Sequence, residues 1–214
     1  METVSRVSQG RIGYLHLRAM GPNDIADFAR NFYAQLDREA LIVDVRFNNG
    51  GNIDSWVLDR LMRRAWMWLQ ARHPAGSASY PNMQHAFSGP MAVLVNEQTY
   101  SDGETFAEGF KRLQLGPVIG KVTSGAGVWL SDSNRLMDNG ILRAAEIAQM
   151  DANGRRLVEG VGVLPDVEVD NPPRATAKGQ DAQLDAAVAQ LLKQLPVATT
   201  GRRTPAALPY PPTR

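Results

Sequence analysis

The sequence predicts an α/β layered fold in which a central, largely parallel sheet is flanked by helices. Three observations carry this expectation. Short, nearly continuous apolar runs at 40–45, 91–96 and 118–122 have the pattern of strands buried on both faces. Between such runs, apolar residues recur at three- and four-residue steps, the period of a helix that buries one side. Glycine or small residues mark the junctions, so strand–turn–helix units recur three times, an alternation that builds parallel sheets.

Taken in order, residues 1–10 are polar and are expected to form a flexible N-terminus. Residues 11–17 read as a first strand, ended by Gly21-Pro22. Asn23 or Asp24 can cap a helix running to about Leu36, with Ile25, Phe28, Phe32 and Leu36 on its buried side. The strand at 40–45 runs into a glycine turn, Asn48-Asn49-Gly50-Gly51-Asn52. Asp54 or Ser55 then caps a helix that turns Val57, Leu58, Leu61, Ala65 and Trp68 inward. Residues 72–89, with Pro, Gly, Ser and Asn, predict a surface loop.

A strand at 91–96 leads to a helix at about 102–113, and 118–122 is a further strand. From 128 to 158 the period shifts toward β, with Asn139-Gly140 and Asn153-Gly154 predicting hairpin turns of the primed types. Residues 161–169 read as extended and 182–195 as a last helix. The tail 196–214 is rich in Pro, Ala and Thr and is expected to be disordered.

Bulk properties narrow the function. With 214 residues, 43% of them hydrophobic, the chain can bury one good core. Its 23 basic and 22 acidic residues balance, so no strong field points to nucleic acid or an anionic membrane. Cysteine is absent, which excludes disulfides, thiolate catalysis and cysteine zinc sites, and fits a reducing cytoplasm. Wholly apolar runs reach only five residues, as at 91–95, and METVSRVSQG lacks the apolar stretch of a secretory leader. No metal or other cofactor is expected: there is no H-E-x-x-H, no carboxylate cluster at ligand spacing and no G-x-G-x-x-G after a strand.

Two strand-to-helix junctions carry candidate chemistry, 48–52 and 96–104 (NEQTYSDGE). In the second, Ser101 stands at a helix start, beside unpaired N–H groups and the positive end of the helix dipole. In the first, Gly50 and Gly51 let backbone N–H groups approach a substrate closely. Together they can form an oxyanion hole. Taken alone, a Ser-Asp before a helix is ordinarily an N-cap, and a Gly-Gly after a strand is ordinarily a turn.

The strings IGYLHLRAMG, LIVDVRFNNGGN, VLVNEQTYSDGETFAEGFKRLQLGPVIGKVT and LVEGVGVLPDVEV, in this order, resemble the terminal catalytic domain of tricorn-type serine peptidases. These belong to the wider family of C-terminal processing peptidases, with a ClpP/crotonase-like fold. The resemblance spans 11–195 and implies peptide-bond hydrolysis. It assigns Ser101 as the nucleophile, the backbone N–H groups of Gly51 and Asp102 as the oxyanion hole, and Glu159, in V-E-x-x-G-V, as the carboxylate completing the catalytic tetrad.

Two departures matter. The family's N-G-G-G turn has Asn49 in place of its first glycine, and asparagine tolerates left-handed backbone angles. The family's general base is a histidine in an earlier domain, so the resemblance implies a base from upstream domains or another chain. It also implies a homo-oligomer, peptide substrates, and a chain that is very slow or inactive alone. His16 reads as a sheet residue, and His73 and His85 as solvated loop residues. In the lysine-dependent branch a lysine follows the serine by about 25 residues; here Ala126 holds that place and Lys121 lies in the adjacent strand. The rival readings are a noncatalytic peptide-binding or assembly module and an acyl-CoA enzyme of the crotonase type.

Overall fold

A computed structural model describes residues 2–69, 80–81 and 85–196. In chain order its elements are α1 (Glu2–Val7), β1 (Ile12–His16), α2 (Asp24–Tyr33), β2 (Ala40–Asp44), α3 (Asp54–Met62), β3 (Trp68–Leu69), β4 (Tyr80–Pro81), β5 (Met91–Val95), α4 (Asp102–Arg112), β6 (Val118–Gly120), β7 (Trp129–Ser131), β8 (Ala144–Ile147), β9 (Val167–Glu168), α5 (Pro173–Thr176) and α6 (Ala182–Gln194).

Five strands pair in the order β1-β2-β5-β6-β9, all parallel, with Ile12 opposite Ala40, Leu41 opposite Met91, Val93 opposite Val118 and Ile119 opposite Val167. Strand order follows chain order, and right-handed crossovers then put the connecting helices on one face of the sheet. The packing agrees. Phe28 and Phe32 of α2, Val57, Leu58 and Leu61 of α3, and Phe106 and Phe110 of α4 cluster with Leu41, Val43, Met91 and Val93. The alternate residues Ala40, Ile42, Ala92 and Leu94 face the other way, against Val4 of α1 and Ala187, Val188 and Leu191 of α6. Both faces are therefore covered, which is why β2 and β5 are buried at every position. Burying a Phe or Leu side chain in such a layer contributes about 1.5–3 kcal/mol.

Five expectations are corrected. Residues 1–10 were expected to be flexible, yet α1 forms there. Its Val4 plugs the α6 side of the sheet, and the buried Ser8 hydroxyl donates to Val4 O at 2.7 Å while accepting Ile12 N–H at 3.1 Å. One buried apolar residue is too few to register as a period. The third helix was expected to reach Trp68 but stops at Met62, because Arg63 turns extended at ψ 138°. Ala65 and Trp68 are accordingly not buried, and Trp68 instead pairs with Pro81 in a two-stranded ribbon.

The hairpins at Asn139 and Gly154 are not of the primed types. Each is a turn with negative φ at both central residues, closed by one left-handed residue, Asn139 (φ 66°) or Gly154 (φ 76°). At 161–169 only Val167–Glu168 is strand, since Gly160 and Gly162 bend the segment at φ 77° and 71°. The short α5, Pro173–Thr176, was not anticipated. The expected loop at 72–89 lies mostly outside the described residues, as does the expected tail from 197 on. Among the described residues no helix is long and apolar enough to cross a membrane.

Candidate active site

The C-terminal ends of β2, β5 and β6 deliver three turns to one end of the sheet. The first follows β2. Arg46 is held by Asp44 at 2.7 Å and Asp181 at 2.8 Å, which anchors the chain as it leaves the sheet. Asn48 then joins three segments. Its buried amide donates to Leu17 O (2.6 Å) and accepts Gly50 N–H (2.8 Å), while its backbone carbonyl accepts Tyr100 N–H (2.8 Å). Asn49 is not left-handed; the positive φ values fall at Phe47 (60°), Gly50 (91°) and Gly51 (158°), so asparagine in place of the family's glycine imposes no strain.

Gly51 is bridged to Met20, with Met20 N–H donating to Gly50 O (2.9 Å) and Asn52 N–H to Met20 O (2.8 Å). A Cβ on Gly51 would stand 1.9 Å from Met20 O, so no side chain fits. Ladder alternation leaves the Gly51 N–H directed away from Met20, and it donates to no acceptor among the described residues.

The second turn follows β5. Thr99 fastens it by donating to Val45 O at 3.0 Å and accepting Asn96 N–H at 3.0 Å. Ser101, half-buried, is the N-cap of α4 and holds φ 54°, ψ −119°, a region that non-glycine residues rarely adopt. It packs on Gly50: a Cβ there would lie 2.7 Å from Ser101 Cβ, 3.0 Å from its Oγ and 3.5 Å from Asp102 N. The two turns touch because Gly50 has no side chain. Asp102 N–H, at the first position of α4, has no acceptor among the described residues.

Glu104 braces this strained serine. Its carboxylate is fully buried and accepts Ser101 N–H at 3.0 Å, completing one arm of a capping box. It also accepts the Thr123 hydroxyl (2.5 Å), Gly125 N–H (2.7 Å) and Ala126 N–H (2.9 Å) from the third turn, after β6. Ala126, in the place of the family's lysine, therefore contributes an amide to Glu104 and no charge.

The Asp102 side chain points inward. One carboxyl oxygen accepts Ile53 N–H (2.8 Å) and Asp54 N–H (3.0 Å) and so caps α3. Burial, then the hydrogen bond and charge of Asp54, push its pKa up to about 7 against the opposing pull of the two amides.

Glu159 sits one loop further out. Exposed, it accepts Val128 N–H at 2.8 Å, and the adjacent Gly160 N–H donates to Gly125 O at 2.8 Å. Its segment is thus tied to the loop that Glu104 holds, but no described contact joins the Glu159 carboxylate to Ser101. His16 Nε2 lies 2.9 Å from Arg46 O, His85 packs on the Tyr33 ring at 4.8 Å, and His73 lies outside the described residues. Lys121 is paired with Glu168 at 2.8 Å. Among the described residues, no group of three metal-ligating side chains converges.

Of the residues singled out in the sequence, the fold brings Gly50, Gly51, Ser101 and Asp102 together and leaves Glu159 on a neighbouring loop. Two residues were missed, Asn48 and Glu104. The Ser-x-x-Glu spacing of SDGE is a capping-box signature that points to Glu104.

The family model for peptidase family S41 matches residues 11–169. Tricorn protease homolog 1 of Streptomyces coelicolor is 37% identical over 206 residues, 96% of this chain and 19% of the relative. Tricorn protease of Thermoplasma volcanium is 35% identical over 188 residues, 88% of this chain and 18% of the relative. A crystal structure of tricorn protease superposes with a TM-score of 0.83 at 33% identity, over 90% of this chain and 19% of that one. The chain thus spans about a fifth of the length of these relatives.

Proposed function

The chain belongs to peptidase family S41, and from that premise we propose that it hydrolyses peptide bonds through an acyl-enzyme on Ser101. The observation that carries this reading is the contact of the two turns: a serine held at a strained helix start, against Gly50 and beside an Asp102 N–H that has no acceptor among the described residues.

Ser101 Oγ attacks the scissile carbonyl carbon while its proton passes to a histidine imidazole. The carbonyl oxygen becomes an oxyanion that accepts the N–H groups of Gly51 and Asp102. Losing one such donor typically costs about 2.7–4 kcal/mol of activation free energy. As the intermediate collapses, the C–N bond breaks, the imidazolium protonates the leaving amine, and water then releases the acyl group by the reverse proton path. Glu159 orients the network around the imidazole. The histidine comes from an upstream domain or a neighbouring copy in a homo-oligomer; in support, His16 and His85 are engaged with Arg46 O and Tyr33.

That same placement of the histidines favours one other reading, a peptide-binding or assembly module without turnover. Peptide hydrolysis by wild type and Ser101→Ala, with and without a histidine-bearing segment supplied in trans, separates the two. The expected result is turnover only with that segment, reduced at least about a thousandfold by Ser101→Ala. Equal hydrolysis by both proteins overturns the proposal, and stoichiometric peptide binding indifferent to Ser101→Ala identifies a binding module.

A further inference from the structure

Asp102 and Asp54 are both buried, at 1% and 7% exposure, and Asp54 N–H donates to the Asp102 carboxyl at 3.0 Å, which sets the Asp54 side chain beside it. Asp102 Oδ2 is occupied by Ile53 N–H and Asp54 N–H, whereas its Oδ1, buried, meets no donor among the described residues. A carboxylate only accepts, so an ionised Asp102 leaves Oδ1 bare beside a second negative group. A carboxylic acid donates, and Asp54 is the acceptor at hand.

We propose that Asp102 is held as a neutral acid, sharing its proton with Asp54, and that this pair is the positioning device locking the glycine turn to the nucleophile turn. The clamp spans both donor arms. Asp102 belongs to the serine turn, and the amides it caps, Ile53 and Asp54, follow directly on Gly51 and Asn52. Neutrality also has a catalytic reason. The Asp102 N–H is one of the two oxyanion donors assigned above, and a full charge on the same residue would oppose the negative oxygen forming there.

Among the described residues, Asp54 is the charged group that acts on Asp102. The turn at 48–53 is uncharged, Glu104 is directed to the loop at 123–126, and Asp59 and Arg60 lie further along α3, Arg60 over the Trp56 ring at 5.1 Å. Burial and the neighbouring carboxylate both raise the Asp102 pKa. The catalytic consequence rests on Ser101 being the nucleophile; the proton assignment does not.

Carbon-13 NMR of the full chain labelled at aspartate side chains tests the assignment, with the Asp102 signal identified by its loss in Asp102→Asn. Asp102 is expected to titrate with a midpoint at or above about 6, against the ordinary 3.9, and Asp54→Asn to lower that midpoint by about a unit or more. A wild-type midpoint below about 6 overturns the proposal, as does an Asp54→Asn midpoint that stays in place; should Asp54→Asn fail to fold, the wild-type value decides.

The positioning role is read by fluorophosphonate labelling of Ser101 in the presence of a histidine-bearing segment. Asp102→Ala is expected to slow labelling at least about tenfold, and Asp102→Asn, which keeps the acceptor and the donor, to recover most of that loss. Equal slowing by both variants overturns the neutral clamp. Absence of labelling in every protein counts against the nucleophile, and the titration still decides the proton.

Discussion

Ser101 occupies a backbone region that costs a non-glycine residue about 1–3 kcal/mol, and it persists there because its neighbours hold it. Glu104 is the chief of these. Each of its oxygens accepts two donors: Thr123 and Gly125 on one, Ser101 and Ala126 on the other. In Glu104→Gln, whichever way the amide turns, its NH2 faces two donors. A stability loss of about 3 kcal/mol is expected in urea unfolding. Gly51→Ala meets Met20 O at 1.9 Å and is expected to lose at least about 2 kcal/mol, together with any labelling of Ser101. The placement of Ser101 at a helix start and of Gly51 in a turn was legible because strand ends, glycines and helix starts are local patterns, whereas their roles came from the resemblance. The Ser-x-x-Glu spacing gave a local signal for the Glu104 contact to Ser101, but its hold on the third turn was not legible, since three of its four donors come from residues 19 to 22 positions away.

At the level of elements, the start of α3 is capped from α4 by the Asp102 carboxyl, which couples the two helices to pH. Its raised pKa means that the folded chain holds a proton which the unfolded chain releases near pH 4. Between about pH 4 and 7 the native state therefore binds more protons, so this group makes stability fall as pH rises through that window and level off above it. Asp102→Asn is expected to flatten that part of the profile in urea titrations between pH 4.5 and 7.5; an unchanged slope contradicts the assignment. In the central sheet, β2, β5 and β6 were readable from their nearly continuous apolar runs, and α2 from its period. The segment after Met62 was not, because Trp68 continues the helical spacing while its actual partner, Pro81, is remote in sequence. The hairpin turns were misread in type, since Asn-Gly marks a turn without saying which residue takes the positive φ.

For the whole molecule, a sheet whose strand order follows chain order gathers the ends of β2, β5 and β6 on one side, and the three turns they deliver make the site. That topology was foreseeable from the repeated strand–turn–helix units. The source of the proton acceptor was not, because the chain covers about a fifth of its tricorn relatives and its histidines are engaged elsewhere or lie outside the described residues. The central claim is that the hydroxyl at position 101 is a nucleophile awaiting a base. Mass spectrometry of the chain treated with a fluorophosphonate tests it most directly. The expected result is a single adduct mapped to Ser101, formed when a histidine-bearing tricorn segment is added and missing from Ser101→Ala. An adduct on another residue, or the same adduct yield with Ser101→Ala, contradicts it.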